Sequence, residues 1–153
     1  MMNMRRLKVL AIAVATGRVG YVYLIGDRLQ DWGLSRKASI NSTLAAAQTE
    51  KLIADLHPDV LVTEKVSKIS TKSFKTRSLI ESVQRVAANA NLLNVSVLRA
   101  NIFKNKYEEA KHLGERFPEI SAWVPRARRI WEPEPKNTVL FEALALATGV
   151  IDD

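Results

Sequence analysis

Residues 9–34 read VLAIAVATGRVGYVYLIGDRLQDWGL, and this stretch decides the fold. Val9–Ala15 is a near-continuous apolar run that ends at Thr16-Gly17. Val19–Ile25 alternates aliphatic and aromatic side chains, and Leu29–Leu34 follows a Gly26-Asp27-Arg28 turn. Short apolar segments of strand length, separated by glycine-bearing turns, predict three strands joined by tight connections. An antiparallel meander is their simplest pairing.

Downstream, the period changes from two to that of a helix. Asn41, Ser42 and Thr43 are N-cap candidates, after which Leu44, Ala45, Leu52, Ile53 and Leu56 recur near helical spacing until His57-Pro58 stops the run. Asp59–Glu64, with Val60, Leu61 and Val62, predicts a short buried strand. Lys65–Thr76 has no apolar period. Ser78–Ala90 has a clear one, through Leu79, Val83, Val86, Ala87 and Ala90. Val95–Leu98 predicts a fifth strand, Asn105–Arg116 a charged surface helix, and Phe117–Pro135, rich in proline and aromatics, an extended, partly packed connector rather than a helix. Asn137 or Thr138 caps a last helix whose Val139, Leu140, Ala143, Leu144 and Ala147 form a stripe widened by Phe141 and Leu146, so it should be largely buried. The order β-β-β-α-β-α-β-α resembles the RNase H-like fold. That is an α/β class with a mixed five-stranded sheet, three antiparallel N-terminal strands followed by parallel ones, and helices on both faces. No repeat, low-complexity tract or linker divides residues 1–153, which are expected to form a single domain.

Composition narrows the functional classes. The 153 residues are 47% apolar and 25% charged, with 6 Gly, 5 Pro and no Cys, which excludes disordered, collagen-like and disulfide-framed proteins and thiolate metal sites. Val9–Ala15 and Leu140–Ile151 both fall short of the roughly 20 apolar residues a membrane-spanning helix needs. Arg5, Arg6 and Lys8 before an apolar run superficially resemble a signal peptide, but Arg18 and Gly20 interrupt the segment and a first strand is the better reading. The absence of Cys fits a reducing compartment, and a cytoplasmic location is expected. His57 and His112 have no partner at metal-ligand spacing, and Ala15-Thr16-Gly17-Arg18 lacks the P-loop pattern. The formal charge of +7 favours an anionic partner, of which nucleic acid is the commonest.

The positive charge is unevenly placed. Lys65, Lys68, Lys72, Lys75 and Arg77 occupy thirteen residues without Asp or Glu, interleaved with Ser67, Ser70, Thr71, Ser73 and Thr76. A basic Ser/Thr loop of this kind offers cations, hydroxyls and backbone N–H groups to phosphate oxygens. Phe74 within it is expected to anchor the loop by burial rather than to stack on a base. Arg126, Arg128 and Arg129 with Lys136 make a second basic patch, and Arg99, Lys104 and Lys106 a third. Trp123 and Trp131 are expected to pack the connector against the domain.

Three short motifs carry a more specific resemblance. The run from Val9 to Tyr21, the strand end Val60-Leu61-Val62-Thr63-Glu64, and Phe141-Glu142-Ala143-Leu144-Ala145-Leu146-Ala147 are similar to the acid-bearing motifs of RuvC-type Holliday-junction resolvases. The resemblance implies a magnesium- or manganese-dependent endonuclease of DNA recombination and repair, acting on branched DNA as a homodimer. It makes Glu64 and Glu142 the catalytic and metal-binding carboxylates and puts the basic residues on DNA, with structured RNA as the alternative ligand. It also shows a departure. The first-strand aspartate falls on Ala13 and a further acid falls on Val139, which leaves two of four carboxylates. Such nucleases hold two metals about 4 Å apart, and an alanine has no oxygen to ligate one. Ala13 reads as a natural loss, as a deliberate replacement, or as a displaced match; Glu81, Glu132 and Glu134 are conceivable substitute acids. The function implied is therefore nucleic-acid binding with phosphodiesterase activity lost or impaired. The alternative is a non-catalytic DNA- or RNA-binding or scaffolding module.

Overall fold

A computed structural model of the chain describes residues 6–66, 73–98, 105–129 and 131–152. The elements run β1 (Lys8–Ala15), β2 (Arg18–Ile25), β3 (Arg28–Ser35), α1 (Ser42–Leu56), β4 (Val60–Glu64), α2 (Phe74–Asn89), β5 (Leu93–Val97), α3 (Lys106–Arg116) and α4 (Thr138–Ile151). They build one mixed sheet in the order β3-β2-β1-β4-β5. β1, β2 and β3 pair antiparallel, whereas β4 runs parallel to β1 and β5 parallel to β4. This is the expected RNase H-like arrangement, with three antiparallel strands first and parallel ones after.

Strand alternation sorts the apolar residues into two cores. Val9, Ala11 and Ala13 of β1, Val22 and Leu24 of β2, and Val60 and Val62 of β4 face α3 and α4. Leu10, Ile12 and Val14, with Tyr23 and Leu61, face α1 and α2. Because β1 is central and covered on both faces, it is apolar at almost every position, as a doubly buried strand must be. α4 supplies most of the first core: Val139, Leu140, Phe141, Ala143, Leu144, Leu146 and Ala147 are all buried. Two glycines let it lie close to the sheet. A Cβ on Gly20 would come within 3.0 Å of Val139 Cγ1, and one on Gly149 within 2.8 Å of Val97 Cγ1. At the C-terminal end of α4, Asp152 accepts two hydrogen bonds from the Arg116 guanidinium of α3, which holds the Asp152 carboxyl below its ordinary range.

Side-chain caps set the starts of three helices. Asn41 Oδ1 accepts from Leu44 N (2.9 Å), Ser73 Oγ from Thr76 N (3.2 Å), and Asn105 Oδ1 from Tyr107 N and Glu108 N. The Ser73 cap starts α2 four residues before the expected Ser78, so Lys75 and Arg77 belong to a helix rather than to a loop. β5 begins at Leu93, two residues before the expected Val95. The connector is not wholly extended. Pro118–Trp123 forms a 3-10 helix, with Pro118 preset at its first position, Ile120 buried beneath it, and Ser121 Oγ donating to the Pro118 carbonyl (3.0 Å). Asn137 leaves the α4 start uncapped by its side chain, because its amide donates to the Trp123 carbonyl (3.2 Å).

The Gly20–Val139 approach is the less yielding of the two glycine approaches, since Val139 presents backbone as well as side chain there. Gly20→Val is expected to lower the unfolding free energy by about 2 kcal/mol through overpacking, read as a fall in the urea midpoint at unchanged slope.

Candidate nucleic-acid interface

β1 and β4 are parallel, with Val9 beside Val60, Leu10 beside Leu61 and Ala11 beside Val62. Two residues further on, this register sets Ala13 level with Glu64 at the C-terminal end of both strands. The period-two alternation puts both positions on the face that α4 covers. Across the sheet Ala13 pairs with Gly20, and Gly20 is the residue on which Val139 rests. Ala13 is 5% exposed and Val139 2%, and both belong to the same apolar core. The two positions that the resemblance marks for acids are therefore packed as hydrocarbon around a glycine. Moving the match by one pleat changes nothing, because Ala11 and Ala15, which share that face, carry no oxygen either.

Glu64 and Glu142 are both half-buried, Glu142 lying one helical turn beyond Val139 on α4. Each is engaged in an interaction of its own. Among the described residues no three His, Cys, Asp or Glu side chains gather closely enough to hold a metal ion. A buried polar atom near Val139 that lacks a hydrogen-bond partner there, Thr138 Oγ1, is a neutral hydroxyl and adds no charge that would hold a cation. This set does not fit a two-metal centre for magnesium or manganese, which needs several hard anionic oxygens converging on both ions. Two of the substitute acids are committed elsewhere, and the third lies on the solvent face of α2. Glu132 is paired with Arg126 and Arg129, Glu134 with Lys106, and Glu81 is exposed on α2.

The basic residues divide into two settings. Lys65 follows β4 directly, its backbone N–H donating to the Val97 carbonyl (2.8 Å), and its side chain is exposed. Lys75 is exposed in the first turn of α2, whereas Arg77 is half-buried and has a partner. Lys68 and Lys72, with Arg99 and Lys104, lie outside the described residues. Phe74 is 85% exposed, which overturns the expectation that it anchors the loop: as the first residue after the Ser73 cap, it points away from the buried side of α2.

The second setting is a cleft of ≈370 Å³ in which Arg126 and Arg128 of the connector meet Lys136, before α4, and Arg18, at the start of β2. Arg18 pairs with Ala15 at the end of β1, so the cleft lies at the same end of the sheet as Glu64. The ion pair of Lys106 with Glu134, another residue of the cleft wall, joins one residue of the third basic patch to the second. Arg129 stands beside the cleft, with its guanidinium 5.7 Å from the Trp131 ring centroid. Sequence reasoning missed Arg18, because nothing in a hairpin turn signals a connector far along the chain that packs beside it. The two tryptophans also part company. Trp123 packs edge-on against Trp32 with ring centroids 5.2 Å apart, as expected, but Trp131 is 77% exposed.

The described helices include none long and apolar enough to cross a membrane. No family model matches the sequence, and no curated protein does. Comparison of structures does find relatives in shape. Thermus thermophilus RuvC superposes with a TM-score of 0.65 at 14% identity, covering 92% of this chain and 93% of that one. The fowlpox virus Holliday junction resolvase gives 0.64 at 12% identity over 95% and 99%. The yeast mitochondrial Holliday junction resolvase Ydc2 gives 0.60 at 12% identity over 95% and 78%. The structural neighbours are thus RuvC and related Holliday junction resolvases, and the chain has their RNase H-like fold.

The apolar filling has a measurable consequence. Ala13→Asp would bury a carboxyl among hydrocarbon, where desolvation raises its folded-state pKa. Because the unfolded chain ionises that group from about pH 4 upward, stability relative to the parent falls as pH rises toward the raised value. A loss of about 3 kcal/mol is expected at pH 7.5, shrinking at pH 4.5, by urea unfolding at the two pH values.

Proposed function

We propose that this chain is a nucleic-acid-binding RuvC-like domain that holds branched or structured nucleic acid by its phosphate backbone without hydrolysing it. The observation that carries this reading is the cleft of Arg18, Arg126, Arg128 and Lys136 at the sheet end that also holds Glu64. Lys65 and Lys75 add exposed cations after β4 and on α2, and exposed Phe74 beside Lys75 offers an aromatic surface to a base. Cations spread over several elements track a charged backbone better than they fit one small anion. Structural relatives that include T. thermophilus RuvC in complex with a Holliday junction substrate, and the fowlpox virus resolvase with Holliday junction DNA, make DNA the first ligand to test.

The filled acid positions support the non-hydrolytic reading. Ala13 and Val139 provide no ligand oxygen, and the hydrocarbon between β1, β2 and α4 leaves a hydrated cation no room beside Gly20. With no hydrolytic role assigned, binding is expected not to require magnesium or manganese, which compete for phosphate like any other cation.

The test is binding of a labelled four-way junction and a duplex at two salt concentrations, with and without Mg²⁺ or Mn²⁺. Salt-dependent binding with intact substrate is the expected result. The double variant Arg126→Ala/Arg128→Ala is expected to flatten the slope of log affinity against log salt by about 2, near one unit per lost phosphate contact. Metal-dependent cleavage overturns the non-hydrolytic reading, and absence of binding overturns the nucleic-acid reading.

A further inference from the structure

Trp131 is the least explained side chain in the connector. A hydrogen bond from Glu132 N to the Arg129 carbonyl (3.0 Å) closes a tight turn that carries the indole outward, 77% exposed. An exposed indole of this size contributes nothing to the core; Trp123, nearby in the chain, packs edge-on against Trp32 and is 40% exposed, about half as much as Trp131. Arg129 lies over the ring at 5.7 Å and occupies one face, which restrains the indole and leaves the other face open.

The turn is held from beneath by one acid. Glu132 accepts from Arg126 Nη2 and from the Arg129 backbone N–H, each at 3.4 Å, and its carbonyl accepts from Arg128 Nη1 at 3.3 Å. Three arginines are thereby arranged around the base of Trp131 before any ligand arrives. The adjoining cleft of ≈370 Å³ adds Arg18 and Lys136, neither of which forms an ion pair among the described residues. A volume of this size lies at the lower end of small-molecule sites, on the scale of one nucleotide.

We infer that this corner binds an unpaired strand, with the open face of Trp131 stacking on one base while Arg18, Arg126, Arg128 and Lys136 take the adjoining phosphates. The inference rests on the nucleic-acid reading above and narrows it. Stacking needs a base whose face is uncovered, a condition met in single strands and at branch points but not inside a duplex. The arginines alone would hold any phosphate backbone. Trp131 among them supplies the discrimination. Stacking of this kind is sequence-tolerant, because every base has a π-face.

The test measures fluorescence anisotropy of three labelled ligands with the full chain: a pyrimidine oligonucleotide of about twelve nucleotides, an abasic oligomer of the same length, and a duplex of that length. Trp131→Ala is expected to weaken the pyrimidine strand about ten-fold or more, with duplex and abasic oligomer unchanged, and Trp131→Phe to restore most of the loss. The exposed position means that both variants should keep the parent's thermal unfolding midpoint, checked alongside. Single-strand affinity unchanged in Trp131→Ala, or duplex affinity falling equally, overturns this inference and leaves the broader one standing. Failure of the parent chain to bind the pyrimidine strand overturns this inference, and failure to bind the four-way junction as well overturns both.

Discussion

The packing of α4 flat against the sheet is the constraint on which the rest of the structure depends. Its buried residues cover β1, β2 and β4 together, and the two close approaches, Val139 on Gly20 and Gly149 against Val97, fix the helix near each end. A helix held at two separated points can neither slide nor rotate without driving a methyl group into backbone or side chain. Everything at the C-terminal end of β1 inherits that geometry. The position of Glu142, the filling over Ala13 and the place where the connector must enter all follow from it.

The same constraint separates chemistry from charge. On the α4 face, the positions of Ala13 and Val139 are packed as hydrocarbon. At the same end of the sheet, cations from two unrelated parts of the chain, the start of β2 and the connector before α4, meet in one cleft, while the first turn of α2 carries Lys75 on the other face of the sheet. The basic cleft and the acid positions thus rest on different residues. One can be lost while the other is kept, because the connector arginines are ordered by Glu132 rather than by any carboxylate of the sheet.

The meander was legible because strand periodicity and glycine turns act locally, and β1, β2 and β3 extend the expected segments by no more than one residue at each end. The last helix was legible for a related reason, since a stripe as wide as Val139 to Ala147 must be buried. What the sequence concealed arises from contacts between distant segments. Ser73 starts α2 early because a hydroxyl reaches one backbone N–H, a choice that hydropathy does not register. Arg18 joins Arg126 because β2 begins where the connector passes. The exposure of Phe74 and Trp131 reverses the general tendency of aromatics toward burial, and general tendencies were the sole guide to them. For the acid positions, the motifs placed Ala13 and Val139 separately; the sheet register and Gly20 bring the two into one packed cluster.

α4 follows every strand it covers in the order of synthesis. While a ribosome is still making the connector, the α4-facing side of β1, β2 and β4 has been synthesised but lacks its cover, and Val9, Ala11, Val22, Val60 and Val62 remain accessible to other nascent chains. The opposite face has no such delay, because α1 and α2 emerge earlier. The vulnerable interval is therefore late and one-sided. Its length is set by the time taken to translate residues 65–151, which makes slow codons in that span a hazard for solubility that the finished fold does not reveal.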